Sequence, residues 1–495
     1  MQFKTEEIQP KASMLIESMR DIGYSLETAL ADIIDNSIAA AASRIDILVD
    51  PSIGNPAIGI LDNGGGMTKA ILLDAMRPGS SNPRDARAKL DLGRFGLGMK
   101  TASFSQCRRL SVLTRRGGKS SAAIWDLDHV ASSDRWEILL PADHQTIPFA
   151  ERLVGDGTLV VWEKLDRILG DEQEAQQQKL LAQRVDEAAS HIELVFHRYL
   201  SGEATGSKLP IMVNNRPLEP HDPFGTSHKA TQRNPNEPQI FKIKGHNVAV
   251  QTFTLPHHSK LTDRQYEALA GKAGFLRNQG FYLYREKRLI ISGTWFGLAQ
   301  QKPITQLTRV RIDMPKELDA EWKIDVKKAS AQPPPALRRE LRGLVEQICS
   351  GSKRVYTHRG KKLVSDDQIE IWQRIQHKGQ IRYGINPDHP VVAQLSNELG
   401  DEGRQRLKAL IRLMETSLPI DSIFADKGGN PTAVSSGDLA DHELAVVAAD
   451  TYRHLNGGAE ARDEGVLAML GMMDPFRSNW PVVESALKDR FGWDR

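Results

Sequence analysis

The sequence has few cysteines, little net charge and no long apolar run, and each shortage excludes a class of protein. Cys107 and Cys349 are the two cysteines in 495 residues, which argues against a disulfide framework or a cysteine-based zinc site. No run approaches the roughly 18 apolar residues that a membrane-spanning helix needs. The N-terminal segment MQFKTEEIQPKASM lacks the apolar core of a signal peptide. These absences predict a cytoplasmic protein that does not enter a membrane.

The charge balance and the length limit the class further. The chain has 65 basic and 63 acidic residues, so no overall field steers it to nucleic acid or to a membrane, although a local basic patch fits this balance. Apolar content of 40% and charged content of 26% are ordinary for a globular protein. We expect more than one domain, because single hydrophobic cores stop growing well below 495 residues.

Hydrophobic periodicity predicts an N-terminal region of mixed helices and strands. We predict helices over residues 11–23, 26–42, 68–76 and 171–200, with Ser25 as the cap of the second helix. Predicted strands are 45–49, 58–61, 110–114, 121–125, 136–139 and 157–162. A polar stretch over 78–91 is typical of a mobile loop. This order predicts an α+β fold in which helices cover one face of a sheet.

A second region begins near Pro210 and also mixes strands and helices. Predicted strands are 211–215, 241–244, 248–253, 280–284, 288–291 and 310–314, with a tight turn at 245–247. A helix over 336–350 follows. Residues 351–385 are polar and basic, and the segments after Pro387 have helical patterns. The basic cluster over 353–362 fits either a contact with a DNA backbone or a solvated linker.

A cluster of acid and amide groups lies on the second predicted helix. Asp32 and Asn36 are four residues apart, so they lie one turn apart on the same helix face. A carboxylate there can orient or deprotonate a water molecule, and an amide oxygen one turn away can bind Mg²⁺. Asp35 can help to shape the same site. Taken alone, the pattern also fits the solvated face of an ordinary amphipathic helix.

Two glycine-rich segments follow this helix. In the run DNGGGM at 62–67, the Asp62 carboxylate can accept a hydrogen bond from adenine N6, and the glycines let the backbone approach a planar base. The same run also fits an ordinary turn. The run GRFGLGMK at 93–100 precedes an expected helix, whose first N–H groups can bind an anion beside Lys100. Its spacing is not that of a Walker loop, and no strand directly precedes it as in a dinucleotide-binding loop.

The order of these motifs resembles that of the GHKL ATPase superfamily, which includes gyrase B subunits, MutL, MORC proteins, heat-shock chaperones and histidine kinases. That superfamily has an E-x-x-x-N helix, a D-x-G-x-G turn, a G-x-x-G-x-G lid and a later G-T pair. The matching residues here are Asp32/Asn36, Asp62/Gly64/Gly66, Gly93/Gly96/Gly98 and Gly157/Thr158. The resemblance implies a Bergerat-fold ATPase α/β sandwich that binds ATP and Mg²⁺.

The resemblance also implies roles for individual residues. Asp32 would be the catalytic base, Asn36 would bind the metal, and Asp62 and Thr158 would hold the adenine, although a threonine at 158 alone also fits a plain strand. Residues 93–100 would form a lid over the phosphates. The remaining residues that it implies for the cofactor site are Gly64, Gly66, Met67, Gly93, Arg94, Phe95, Gly96, Leu97, Gly98, Met99 and Lys100.

Two later segments resemble the transducer domain of MutL and MORC relatives. Residues 279–290 resemble its strand-turn-strand, and residues 322–330 resemble the segment that sends a catalytic lysine to the γ-phosphate. The resemblance favours Lys328, whereas strand parity alone leaves Lys327 open. We therefore predict an ATPase domain over 1–207, a transducer domain over 208–350, and a basic linker with a mainly helical C-terminal region over 351–495.

The predicted function follows from this resemblance and from two departures from it. The catalytic position usually holds glutamate, and Asp32 is one methylene shorter, so we predict slow hydrolysis; an aspartate common after the motif is Ala39 here. The predicted activity is Mg²⁺-dependent ATP hydrolysis that drives a MORC/MutL-like conformational and homodimerisation switch. Its predicted setting is DNA transactions or phage defence, with DNA or defence-system proteins as partners. The alternative is an ATP-binding switch or scaffold with little or no hydrolysis.

Overall fold

The computed structural model describes residues 3–4, 6, 10–21, 23–52, 54–79, 98–170, 174–257, 260–324, 331–358, 369–377, 380–420, 422–423 and 439–493. The chain forms two compact units, Met1–Cys349 and Ser350–Arg495. Mixed helices and strands in the first unit and a mainly helical second unit confirm the predicted fold class.

The first unit alternates helices and strands along the chain. Its helices are α1 (Ala12–Arg20), α2 (Leu26–Ala39), α3 (Lys69–Met76), α4 (Gly98–Phe104), α5 (Leu127–Ser133), α6 (Asp166–Leu169), α7 (Glu174–Val195), α8 (His197–Leu200), α9 (Asp263–Ala270), α10 (Gly274–Arg277) and the part of α11 (Pro335–His358) up to Cys349. Its strands are β1 (Ile45–Asp50), β2 (Ala57–Asp62), β3 (Arg109–Arg116), β4 (Lys119–Asp126), β5 (Gly157–Glu163), β6 (Ile211–Val213), β7 (Arg216–Pro217), β8 (Gln232–Arg233), β9 (Gln239–Ile243), β10 (His246–Thr254), β11 (Gly280–Arg285), β12 (Arg288–Thr294) and β13 (Thr308–Met314).

The first sheet has the strand order β4-β3-β5-β2-β1-β6-β7, and its pairs are antiparallel except for β1 with β6. Side chains alternate between the faces of a strand. Ile58 and Ile60 of β2 therefore pack into the core that α1, α2, α4 and α7 cover, whereas Leu159 and Val161 of β5 pack on the other face. Side chains on the helical face at the strand ends can thus reach α2.

The second sheet has the order β12-β11-β13-β10-β8, with β9 also paired to β10. Its core includes Phe281, Ile312 and Trp322 and is closed by Leu337 and Leu341 of α11. The hairpin between β9 and β10 turns at Lys244 and Gly245, with φ of +48° and +87°. The predicted turn at 245–247 is therefore misplaced, because the two central residues with positive φ, as in a type I′ turn, are Lys244 and Gly245.

Two further predictions for the first unit are wrong. Residues 136–139 do not form a strand, and Leu139 makes only an isolated bridge to Ile124. The pairing does not extend because the Glu137 N–H donates to the Arg135 carbonyl instead, and on the other side Pro141 has no N–H to donate. Helix α5 was not predicted, although Asp126 caps it by accepting from the N–H groups of Asp128 and His129. Helix α2 ends earlier than predicted, at Ala39, and Ala41 has a left-handed φ of +57°.

The second unit combines a hairpin with helices. Strands β14 (Trp372–His377) and β15 (Gln380–Ile385) pair within the segment that the sequence predicts to be a polar linker. The helices are Pro390–Glu398, Asp401–Thr416, Asp441–Leu455, Glu464–Leu470 and Trp480–Phe491. Tyr452, Leu470 and Phe476 form part of its core. Across the described residues of both units, no helix combines the length and the apolar character needed to cross a membrane.

Candidate ATP-binding site

Three polar side chains meet at one end of the first sheet, on the face that the helices cover. Asp62 is the last residue of β2 and lies opposite Thr158 of β5, which in turn lies opposite Thr114 of β3. The hydroxyl oxygens of Thr114 and Thr158 are 3.2 Å apart. Strand register therefore brings together Asp62 and Thr158, the two residues predicted for adenine.

Hydrogen bonds fix the Asp62 carboxylate in a buried position. Ser37 on α2 donates its hydroxyl to one carboxylate oxygen at 2.9 Å, and the Gly64 N–H donates to the other at 2.9 Å. Burial raises the pKa of Asp62, while the hydrogen bonds from Gly64, Ser37 and the Thr158 backbone oppose that shift. A carboxylate oxygen has room for a second donor, so Asp62 can still accept a hydrogen bond from an exocyclic amine.

Helix α2 brings a carboxylate and an amide to the same region. Asp32 is 4% exposed and accepts a hydrogen bond from the Tyr24 hydroxyl at 3.0 Å, whereas Asn36, one turn later, is exposed. A Cβ added to Gly98 would be 3.5 Å from the Asp32 carboxylate, so the start of α4 lies beside it. Since Asp32 is buried, the alternative of a solvated polar helix face does not hold for this residue.

Asp35, on the same helix, contacts the second sheet. Its carboxylate is 3.2 Å from the Arg288 Nε on β12, and its side chain is 1% exposed. The expectation that Asp35 helps to shape the site stays a prediction.

The glycines of the second motif permit backbone contacts that any side chain would block. A Cβ on Gly64 would lie 2.7 Å from the Ala40 carbonyl oxygen, and one on Gly66 would lie 1.9 Å from the Arg115 oxygen. A Cβ on Gly157 would lie 2.1 Å from the backbone carbonyl oxygen of Asp62. Only glycine fits such approaches, and Gly66 also has a positive φ of +58°.

Gly66→Ala is expected to lower the free energy of unfolding by about 3 kcal/mol or more, because the methyl group meets backbone atoms and the residue has a left-handed φ. Gly117→Ala is the matched control, since Gly117 has φ +57° and nothing within 4 Å of an added Cβ. We expect the control to lose only about 1–2 kcal/mol, which is the left-handed penalty alone. Denaturant unfolding checks this difference, and equal losses would contradict the packing at Gly66.

Lys100 does not lie free at the end of the glycine loop. Its Nζ donates to the carbonyl oxygen of Ala75, in the last turn of α3, at 2.7 Å, and the side chain is 2% exposed. Burial lowers the pKa of Lys100 to about 8, although the charge of Asp74 opposes this. In the structure Lys100 therefore contacts α3, and its predicted contact with phosphates remains a prediction.

The lowered pKa of Lys100 gives a pH dependence with a definite sign. The unfolded chain keeps this proton up to about 10.5, whereas the folded chain loses it near 8. The unfolded state thus binds more protons in this window, so the free energy of unfolding rises with pH. Relative to Lys100→Met, wild type should gain about 2 kcal/mol between about pH 7.5 and pH 10. Unfolding of both proteins across this range measures the gain, and a constant difference would contradict it.

Other predicted site residues fall into two groups. The Met67 N–H donates to the Thr114 hydroxyl at 2.8 Å, and Met67 and Met99 pack against the main core of the first sheet. The predicted residues outside the described part of the chain are Gly93, Arg94, Phe95, Gly96, Leu97, Lys327 and Lys328.

The sequence analysis did not assign roles to three residues that build this site. Ser37 donates a hydrogen bond to Asp62, and Tyr24 donates one to Asp32. The Thr114 hydroxyl contacts both the Met67 N–H and the Thr158 hydroxyl. The role of Ser37 could have been suspected from the sequence, because it directly follows Asn36 on the same helix. The roles of Tyr24 and Thr114 could not, because their contacts depend on tertiary folding.

Comparison with known proteins gives a family match over part of the chain. Residues 24–153 match the model of the histidine kinase-, DNA gyrase B-, and HSP90-like ATPase family. The chain therefore contains a GHKL-type ATPase domain, and this domain is close to the MutL-like branch. The predicted resemblance is confirmed at this level, and the matched range contains α2, β2 and the glycine-rich loop.

The similar curated proteins are DNA mismatch repair proteins MutL. The protein from Bradyrhizobium sp. (strain ORS 278) is 34% identical over 119 residues, which is 24% of this chain and 19% of the relative. That from Bradyrhizobium diazoefficiens is 33% identical over 113 residues, 23% of this chain and 18% of the relative. That from strain BTAi1 is 36% identical over 101 residues, 20% and 16% of the two chains. The chain thus spans less than a fifth of the length of these relatives.

Proposed function

We propose that this chain binds ATP with Mg²⁺ and hydrolyses it slowly. The observation that supports this most is the buried Asp62 carboxylate, held by Ser37 and Gly64 beside Thr158. A carboxylate acceptor that is 7% exposed and held in a fixed direction favours an amine such as adenine N6. Gly64 and Gly66 let the backbone turn tightly against Ala40 and Arg115, which keeps the Gly64 N–H on the Asp62 carboxylate.

The α2 residues fit the chemistry of the phosphates. Asn36 presents an exposed amide oxygen, a hard ligand of the kind that Mg²⁺ accepts together with phosphate oxygens and water. When bound, the metal supplies positive charge against the phosphates. Asp32, one turn away, would accept the proton of the attacking water. We place Lys328 at the γ-phosphate by likeness to the transducer of MutL and MORC proteins.

The larger proposal is a switch. By likeness to the superfamily, ATP would close the lid of residues 93–100, of which 93–97 lie outside the described residues, and bring two copies of the chain together, and hydrolysis would reset them. The similarity of the ATPase domain to MutL supports this, and those relatives are named as DNA mismatch repair proteins. We accordingly propose DNA transactions or phage defence as the setting, with DNA or a defence-system protein as the partner.

One observation favours a binding switch with little hydrolysis as the second candidate. The Tyr24 hydroxyl already donates to Asp32 at 3.0 Å, and the aspartate is shorter than the glutamate usual in the superfamily. The Tyr24 hydroxyl occupies one carboxylate oxygen, and the shorter side chain reaches less far toward a water molecule. Both features make Asp32 less able to position an attacking water.

Two measurements separate these proposals. One is phosphate release from ATP with and without Mg²⁺, and the other is the size of the protein in solution with and without a non-hydrolysable ATP analogue. The main proposal expects slow Mg²⁺-dependent release and a dimer that forms only with nucleotide. Tight ATP binding without release supports the second candidate. Absence of both binding and release contradicts the two of them.

A further inference from the structure

A buried ion pair joins the helix of the candidate site to the second sheet. Asp35 lies on α2, between Asp32 and Asn36, and is 1% exposed. Its carboxylate is 3.2 Å from Nε of Arg288, which begins β12 and is 5% exposed. A charged pair this deeply buried tolerates little change in geometry, since separating it leaves two uncompensated charges.

Arg288 belongs to a larger buried cluster. Arg285 lies opposite Arg288 in the β11–β12 ladder, so two like charges are neighbours. Asp319 lies 2.7 Å from Arg285 Nε and provides the second carboxylate. Burial lowers the pKa of the Arg285 guanidinium. The hydrogen bond and the charge of Asp319, followed by the charge of Asp35, outweigh burial, so the pKa of Arg285 is raised overall. Asp35 and Asp319, which come from separate parts of the chain, thus form ion pairs with Arg288 and Arg285.

The turn between Arg285 and Arg288 is fixed by hydrogen bonds. Glu286 and Lys287 form its turn with φ of +48° and +69°. The Tyr199 hydroxyl donates to the Glu286 carbonyl at 2.7 Å, and the Lys316 N–H donates to the Glu286 carboxylate at 3.1 Å. A displacement of Arg288 therefore reaches residues 316–324 through backbone and charge contacts.

Residues 316–324 lead directly to the predicted phosphate-contacting lysines. Asp319 precedes Trp322 and Ile324, which pack in the second core. Lys327 and Lys328 follow within a few residues in the sequence. The four-charge cluster of Asp35, Arg288, Arg285 and Asp319 thus connects the helix of Asp32 and Asn36 to this segment.

We propose that Asp35 and Arg288 are positioning residues that transmit movement of α2 to residues 316–324. This inference rests on the proposed ATP site. When nucleotide contacts Asp32 and Asn36, α2 shifts, and Asp35 moves with it as part of the same rigid helix. Because neither charge of the pair tolerates separation, the hairpin and Asp319 follow.

The test is hydrogen–deuterium exchange of the full chain, with and without a non-hydrolysable ATP analogue and Mg²⁺. The variant is Asp35→Asn with Arg288→Gln, which removes both buried charges together. The control is Arg20→Gln with Asp166→Asn, a pair at 2.7 Å with Arg20 equally buried and with neither residue in the second sheet. Nucleotide affinity of each protein is measured separately by titration.

In wild type and control we expect nucleotide to slow exchange at both 62–67 and 316–324. In the double variant, slowing at 62–67 and the nucleotide affinity should persist, while slowing at 316–324 falls about five-fold. A purely structural role would instead change exchange at 316–324 equally with and without nucleotide. That result, or a double variant in which nucleotide slows exchange at both segments as much as in wild type, would overturn the coupling while the ATP site stands.

Two other outcomes also decide the matter. If wild type binds no nucleotide, the proposed function fails and the coupling fails with it. If the double variant folds but no longer binds, Asp35 acts on binding itself and the coupling is wrong. Should the double variant not fold, Arg288→Lys retains a charge for Asp35 but not the guanidinium geometry. In the Arg288→Lys variant, nucleotide must then slow exchange at 316–324 less than in wild type. Slowing equal to that of wild type contradicts the proposal.

Discussion

Asp32→Asn is expected to reduce the rate of ATP hydrolysis by about 100-fold or more while ATP affinity changes little. Asparagine has the same shape and can still accept the hydrogen bond from Tyr24, so the local structure should persist. It cannot take a proton from water at neutral pH. Phosphate release and equilibrium titration of the same preparations separate rate from affinity.

Tyr24→Phe is the companion variant for this experiment. It removes the hydroxyl that donates to Asp32 but leaves the carboxylate. Because the Tyr24 hydroxyl occupies a carboxylate oxygen that could otherwise accept from water, this variant should hydrolyse ATP at least as fast as wild type. An Asp32→Asn protein that releases phosphate at the wild-type rate would reject Asp32 as the base.

Asp62→Asn is expected to weaken ATP binding by about 10- to 100-fold, because a hydrogen bond to a buried carboxylate contributes about 1.5–3 kcal/mol. The asparagine amide would present N–H groups where the adenine amine needs an acceptor. The same change should reduce discrimination against GTP, whose base carries a carbonyl oxygen at that position. Titration with both nucleotides measures the two effects together.

Asp46→Asn is the matched control for Asp62. Asp46 is 8% exposed against 7% for Asp62, but it lies on β1 and pairs with Arg44. Its neighbours Ile45 and Ile47 face the main core, so alternation directs Asp46 to the opposite face. Equal losses of ATP affinity in the two variants would show that the Asp62 effect is general destabilisation.

The sequence predicted the parts of this fold that depend on local pattern. Helix α2 begins at Leu26 as expected, and β2 ends at Asp62, where the glycine turn starts. Helix α9 was missed although its Thr262–Gln265 capping box is a local signal. The β14–β15 hairpin was missed for a different reason: polar residues dominate it, so its alternation is weak.

The site was predictable as a set of residues but not as a set of contacts. Motif order indicated Asp32, Asn36, Asp62 and Thr158, and strand register then placed Asp62 against Thr158. The partners of these groups come from tertiary folding, which no spacing rule describes. The pairing of Asp35 with Arg288 joins a helix to a strand residue 253 positions later in the chain, whereas the helix pattern alone suggested only that Asp35 could help to shape the site.

A crystal structure of the full chain with a non-hydrolysable ATP analogue and Mg²⁺ tests the central claim most directly. We expect the adenine amine within hydrogen-bond distance of the Asp62 carboxylate and the metal bound to the Asn36 amide oxygen. A nucleotide bound elsewhere, with no contact to either side chain, would contradict the ATP site and every proposal built on it.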